Sequence, residues 1–180
     1  VRRVETGHEF VASYNGSPVY DDQTNLTLAF ITIHDISERK RAEAATRESE
    51  ERFRTMANSI PQLAWIAHAN GDIYWYNERW YAFSGTTLEQ MEGWGWQSLH
   101  DARVLPDVMR QWTAAIAERR PFEMTFPLRA ADGHFRSFLT RVQPLFDSEG
   151  RVTQWFGTNT DVDELLQAEA RVQHLNESLE

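Results

Sequence analysis

The chain has 180 residues, a formal net charge of −9, 41% hydrophobic and 12% aromatic residues, and no cysteine. The acidic balance argues against a nucleic-acid surface, which needs a basic stripe to displace counterions. Without cysteine there is no disulfide, thiolate metal site or cysteinyl-flavin adduct, and no apolar run approaches the roughly 20 residues of a membrane span.

Residues Glu9 to Tyr14 and Leu26 to Ile33 are rich in Phe, Val, Tyr, Ile and Thr, and Asp21-Asp22-Gln23-Thr24-Asn25 between them is turn chemistry. Two strands are expected, and because a lone hairpin is marginal in water they read as the end of a larger domain. From Ser37 to Met56 there is neither Gly nor Pro, while Glu, Arg and Ala dominate, so a helix follows. Glu43 with Arg47 and Glu48 with Arg52 are acid-before-base pairs on its solvated surface. The seam Ala42, Ala45, Ser49, Phe53 and Met56 is weakly apolar, as in a connector.

Leu63 to Ala67 and Ile73 to Tyr76 flank His68-Ala69-Asn70-Gly71, a hairpin signal. Asn77 is placed to cap a short helix ending at Phe83, and Gly85 stops it. Thr87 with Gln90 opens another short helix, 88–92, which Gly93-Trp94-Gly95-Trp96 breaks. A longer helix is expected over 104–119, with Leu105, Val108, Met109, Trp112, Ala115 and Ile116 on one face and Pro106 confined to the first turn. Phe122 to Leu128, His134 to Gln143 and Val152 to Thr160 read as strands, joined at Asp132-Gly133 and by a turn from Pro144 to Gly150. After Asp163 a helix carries Leu165, Ala168, Val172, Leu175 and Leu179 at heptad spacing, the seam of a parallel helix pair.

The segment Ser17 to Glu38 lies on Gln143 to Glu164 without gaps. Pro18 falls on Pro144, Tyr20 on Phe146, Asp21 on Asp147, Thr27 on Thr153, Phe30 on Phe156, Asp35 on Asp161 and Glu38 on Glu164. Self-similarity of this kind outranks any single motif. It divides the chain into the last strands of one domain (1–36), a helical linker (37–56), one complete domain (53–163) and the start of an outgoing helix (164–180).

Trp65, Tyr76, Met109 and Trp112, together with Phe126, Phe138 and Trp155, are candidates to line an interior cup, although aromatic positions like these serve equally as plain core. His100 and His134 stand nearest element ends, without a context diagnostic of haem ligation, and no His pair has zinc spacing. Gly93-Trp94-Gly95 lacks the rest of a phosphate loop, and Ser84-Gly85 lacks a nucleophile elbow. No catalytic constellation or required cofactor emerges.

The element order resembles the PAS fold, an α+β arrangement in which a five-stranded antiparallel sheet carries helices on one face. The resemblance is carried by Ile73-Tyr74-Trp75-Tyr76-Asn77 with Trp80 and Ser84-Gly85, by Trp96-Gln97-Ser98-Leu99-His100, and by Arg129 with Asp132-Gly133. It continues through Pro144-Leu145-Phe146-Asp147 with Gly150 and the exit Asp161-Val162-Asp163-Glu164, of which Asp35-Ile36-Ser37-Glu38-Arg39-Lys40 is a closer copy. Two departures are Asp101-Ala102-Arg103 after His100, where the family usually has Pro-Asp-Asp, and Ser137, where a Trp is common. The resemblance implies a non-catalytic sensory or relay module of a bacterial sensor histidine kinase, homodimeric through its flanking helices and joined to a downstream kinase. The alternatives are a ligand-binding or dimerisation module of a cyclic-di-nucleotide cyclase, phosphodiesterase or other regulator, and a pure dimerisation spacer with a filled core. It further implies that Asp35, Asp161 and Val162 relay the signal, that a small molecule is a candidate occupant of the cup, and that the segment is cytoplasmic, with any membrane anchor upstream.

Overall fold

The computed structural model describes residues 10–20, 22 and 26–177. Glu9, most of the expected turn 21–25, and Leu179 fall outside the described residues. The chain divides into two units, Val1–Phe53 and Arg54–Glu180.

In the first unit, β1 (Ala12–Tyr20) and β2 (Leu26–Asp35) form a two-stranded antiparallel sheet. Pairing runs from Ala12↔Asp35 to Tyr20↔Leu26, with a bulge between Val19 and Tyr20. The expected first strand, Glu9 to Tyr14, is therefore displaced toward the C-terminus and continues through Gly16-Ser17-Pro18. In a two-stranded sheet each strand keeps one unpaired edge, and an edge is where proline is tolerated.

Helix α1 (Ser37–Ser59) begins in the first unit and ends in the second, with no residue that would break its hydrogen-bond ladder. The expected Glu48–Arg52 pair forms at 2.8 Å. Glu43 pairs instead with Lys40 at 3.0 Å and Arg39 at 3.5 Å, while Arg47 turns to Glu51 at 3.0 Å. All are solvated and contribute little each.

The second unit contains β3 (Leu63–His68), β4 (Ile73–Tyr76), α2 (Glu78–Ser84), α3 (Leu88–Met91), a 3-10 turn at Gly95–Leu99, α4 (Leu105–Glu118), β5 (Phe122–Arg129), β6 (Phe135–Phe146), β7 (Val152–Asp161) and α5 (Asp163–Glu177). The five strands form one antiparallel sheet in the order β4-β3-β7-β6-β5. The last strand in sequence is thus the middle strand in space. Alternation decides which side is buried. Trp155, Gly157 and Asn159 of β7, Phe138, Thr140 and Val142 of β6, and Phe122, Phe126 and Leu128 of β5 face the core with Trp80, Trp96, Val108 and Trp112 from the helical layer.

Helix α4 follows its expected apolar stripe, with Pro106 in the first turn, where its missing N–H costs no helical bond. Strand β6 outruns the expected end at Gln143 and passes through Pro144, because β5 pairs with β6 only as far as Val142 and no ladder bond on that side is lost. The turn shrinks accordingly. Asp147 builds it by accepting at Oδ1 from the N–H groups of Glu149 and Arg151, both at 2.9 Å.

Candidate functional site

Two places in the second unit combine burial, polar chemistry and a route to a helix: the cavity between the sheet and the helical layer, and the junction where β7 becomes α5.

Asn77 fixes the helical layer to the sheet. It is fully buried and uses its whole amide: Oδ1 accepts from Ala64 N–H at 3.0 Å and Trp80 N–H at 3.3 Å, while Nδ2 donates to Ala57 O at 2.9 Å and Gln62 O at 3.0 Å. One side chain therefore ties the end of α1, strand β3 and the start of α2 together, and places Trp80 over the sheet. The Trp96-to-His100 corner is held to the other edge by a bridge between His100 and Leu128 and by Arg129 Nη2 donating to Ser98 O at 3.0 Å. Asp101 turns the chain by accepting at Oδ1 from Arg103 N–H at 2.9 Å.

The cavity so enclosed measures about 30 Å³. Of the seven expected cup residues, Trp65, Trp112 and Phe126 stand in its wall. Tyr76, Phe138 and Trp155 are buried in the core but not in that wall, and Met109 packs against the core from a half-buried position. Their rings are satisfied elsewhere: Tyr76 Oη donates to Met91 O at 3.2 Å, and Trp155 Nε1 to Ala69 O at 3.2 Å. The wall is completed by residues that sequence reasoning did not nominate for the cup, including Trp80, Trp96, His100, Thr140 and Asn159. Thr140 and Asn159 were detectable as polar side chains on the inward phase of their strands. Asn159 Oδ1 accepts from Trp65 Nε1 at 2.8 Å.

His100 lies in the wall with Nδ1 3.3 Å from Trp96 O. Burial pushes its pKa down to about 4, against the opposing pull of that carbonyl contact. His134 sits exposed in the β5–β6 turn. Among the described residues there is no group of three or more His, Cys, Asp or Glu placed to hold a metal.

At the junction, Val162 N–H donates to Ser137 O at 2.9 Å and Leu166 N–H to Val162 O at 2.9 Å. Asp161 Oδ1 accepts from Asp163 N–H at 3.1 Å, and Asp163 Oδ1 from Ser137 N–H at 3.3 Å. The first unit repeats the scheme bond for bond, with Ser37 Oγ standing where Asp163 Oδ1 does. Ile36 N–H donates to Val11 O at 2.8 Å and Lys40 N–H to Ile36 O at 2.9 Å. Asp35 Oδ1 accepts from Ser37 N–H at 2.9 Å, and Ser37 Oγ from Val11 N–H at 2.9 Å. The pairing registers of β1–β2 and β6–β7 also coincide, down to the bulge before Tyr20 and before Phe146. One difference is Arg136, whose Nε lies 3.2 Å from Asp161 Oδ2 where the first copy has Phe10.

Helix α5 buries none of its side chains: Leu165, Val172 and Leu175 are exposed and Ala168 is half-buried. Leu166 adds a further exposed apolar residue.

A family model described as the PAS fold matches residues 57–167. The chain belongs to the PAS fold family. Solved structures similar to it have the same architecture. A PAS domain from Colwellia psychrerythraea is 15% identical with a TM-score of 0.54, covering 63% of this chain and 97% of that one. An RNA-binding light-oxygen-voltage receptor is 16% identical with a TM-score of 0.59, covering 96% of this chain and 45% of that one. A light-oxygen-voltage domain studied with a flavin analogue is 17% identical with a TM-score of 0.52, covering 65% of this chain and 89% of that one. At these identities the likeness shows the fold alone.

Two curated proteins are similar in sequence. The uncharacterized protein y4lL of Sinorhizobium fredii is 29% identical over 130 residues, 72% of this chain and 16% of that protein. The peroxide stress-activated histidine kinase mak1 of Schizosaccharomyces pombe is 27% identical over 174 residues, 88% of this chain and 11% of that protein. The chain thus spans less than a fifth of the length of either relative. It is a PAS signalling module, and no helix among its described residues is long and apolar enough to cross a membrane.

Proposed function

We propose that this PAS module is a sensory and relay segment of a multidomain sensor histidine kinase, in which residues 1–36 are the closing strands of a preceding PAS domain and α5 enters a dimeric output helix. The observation that carries the reading is the strand-to-helix junction built twice with one hydrogen-bond scheme. The similarity to mak1 over 88% of this chain supports a histidine kinase as host.

The mechanism is mechanical. Strand β7 is paired on both sides, with β3 through Asn159 and with β6 through Asp161, so it cannot shift without its neighbours. A change at Asn159 in the cavity wall reaches Asp161 two residues later, and Asp161 holds the first N–H of α5. In a dimer whose helices have two registers, a bias of a few kcal/mol is enough to change the output. The exposed seam of Leu165, Val172 and Leu175 is the surface that pairs with the second copy.

The flavin of one structural neighbour does not fit this chain. Small-molecule sites usually measure about 300–1,000 Å³, against a cavity of about 30 Å³ here, and the chain has no cysteine for an adduct. Haem meets the same limit of volume.

Sedimentation equilibrium of the 180-residue chain tests the dimeric relay. A dimer is expected, and Leu165→Ser with Val172→Ser and Leu175→Ser should convert it to a monomer of unchanged helix content. A monomer before substitution, or a dimer surviving it, refutes the seam. Residues following Glu180 in the parent should include a helix with a His beside an acid, then Gly-rich nucleotide-binding boxes; a cyclase domain there refutes the kinase.

A further inference from the structure

Resting on the reading of residues 1–36 as the closing strands of a PAS domain, we infer that the exposed apolar face of β1–β2 docks a strand and a helical layer that precede it in the parent protein, and that this strand sets an aliphatic residue, not an aromatic ring, opposite Ile31. The hairpin has two unlike faces. Side chains alternate along a strand, so Tyr14, Ile31 and Ile33 point to one side and Ser13, Asn15, Thr32 and His34 to the other. The polar side suits water. On the apolar side Tyr14 is 78%, Ile31 69% and Ile33 55% exposed. Large apolar side chains grouped on one face of an antiparallel sheet mark a surface that another layer covers.

The second unit shows what covers such a face. Because the two hairpins share one register, Tyr14↔Ile33 answers to Thr140↔Asn159, and Gly16↔Ile31 to Val142↔Gly157. Thr140, Asn159 and Val142 are 2%, 2% and 1% exposed, under a helical layer that includes Trp80, Val108 and Trp112. The sheet also continues beyond that hairpin, into β3 on one edge and β5 on the other. Among the described residues the elements of that kind, β3, β5 and the helices between them, are already packed on β6–β7. A second copy brings the same elements, equally engaged, so the cover for β1–β2 comes from chain that precedes it.

One row of the sheet fixes the size of the residue opposite Ile31. In the second unit the row reads Trp65, Gly157, Val142 and Phe122 across β3, β7, β6 and β5. Trp65 fits because position 157 has no side chain: a Cβ there would lie 2.2 Å from its ring. In the first unit the glycine stands one strand over, at Gly16 of β1, and Ile31 takes the place of Gly157. A ring laid across Ile31 would meet a branched side chain that is stiff at χ1 and cannot swing aside. Hydrogen bonding points the same way. Trp65 Nε1 donates to Asn159 Oδ1 at 2.8 Å, whereas the counterpart of Asn159 is Ile33, which offers no acceptor. A tryptophan in that place would bury an unpaired donor. What Ile31 adds in volume its neighbour gives up, and alanine or valine meets the need.

Thiol labelling tests the docking, because the 180-residue chain has no cysteine of its own. In that chain Tyr14→Cys, Ile31→Cys and Thr32→Cys should all react freely. In the parent protein, with any other cysteine replaced by serine, Tyr14→Cys and Ile31→Cys should react at least about tenfold more slowly than in the shorter chain, and Thr32→Cys should be slowed far less. Methyl NOEs from Ile31 in the unaltered parent then identify the residue opposite. An aliphatic residue there is expected; an aromatic, polar or charged one would overturn the inference and leave the preceding PAS domain standing. Labelling of Tyr14→Cys and Ile31→Cys that is no slower in the parent would overturn the inference and the preceding domain together. Protection that appears in the 180-residue chain as its concentration rises would give the face to a second copy, with the same consequence. If a cysteine variant fails to fold, the NOEs of the unaltered parent still decide.

Discussion

A methyl group at position 157 would lie 2.2 Å from Cε2 and Cζ2 of Trp65. Gly157 sits opposite Trp65 in the β3–β7 pair, and the indole lies across the space a side chain would need. That indole is held by Asn159 and meets Trp112 edge-on, with centroids 5.9 Å apart, so it has little freedom to move. Gly157→Ala should therefore destabilise the second unit by about 1–3 kcal/mol, read as a lower urea midpoint at constant m. A midpoint equal to the parent's would show that Trp65 yields without cost. His100 makes a different kind of contribution. Its pKa in the folded chain is about 4, below its ordinary value, because burial disfavours the imidazolium. As pH falls through about 6.5 the unfolded chain takes a proton that the folded chain refuses until about 4, so stability declines across that window. The unfolding free energy from urea titration should fall between pH 7 and pH 4.5 by on the order of 2–3 kcal/mol more in the parent than in His100→Phe. Equal losses in the two proteins would mean that His100 is protonated in place.

The strand-to-helix junctions are elements in which a few polar atoms determine direction. Asp161 binds the first N–H of α5 and also pairs with Arg136, both being partly solvated. Asp161→Asn keeps the acceptor and loses the ion pair, a change of a few tenths of a kcal/mol. Asp161→Ala loses both and should cost about 1 kcal/mol, with faster amide exchange confined to the first turn of α5. Equal stability of the Ala and Asn variants would assign the effect to Arg136 alone. The elements themselves were largely legible in the sequence. Strand β4 occupies Ile73–Tyr76 as its pattern implies, α4 keeps the apolar face read from its spacing, and the five-stranded PAS sheet follows from the motifs. Strand ends were less so. Proline stops a strand only where its N–H is needed, and local sequence does not say which neighbour flanks Pro18 or Pro144. The cavity wall was the least legible. Trp80 and Trp96 come from a short helix and a 3-10 turn too brief for periodicity to show a face, and their position depends on Asn77 and the His100–Leu128 bridge, contacts made across the fold. Gly157 in β7 leaves the space that Trp65 fills, a contact with another strand that its own strand does not specify.

Taken as a whole, the chain offers an internal comparison, because one hairpin register occurs in two surroundings. The pair Tyr14↔Ile33 in β1–β2 corresponds to Thr140↔Asn159 in β6–β7. Backbone bonding along the two hairpins is the same, so any difference in their stability comes from what flanks them. Strand β7 has β3 on its other edge and β6 has β5, and their inward residues Phe138, Val142 and Trp155 are 2%, 1% and 0% exposed. In the first unit β1 and β2 form a sheet of two, with Tyr14 78% and Ile31 69% exposed. Two-stranded hairpins are marginal in water, whereas central strands over a packed core open only with the whole domain. Native-state hydrogen exchange on the 180-residue chain should thus find amides of β1–β2 exchanging at least about a hundredfold faster than those of β6–β7. Protection that is equal in the two hairpins at every protein concentration would mean that backbone register, and not the covered face, sets their stability. Protection of β1–β2 that rises with concentration would instead place a second copy against its exposed side chains.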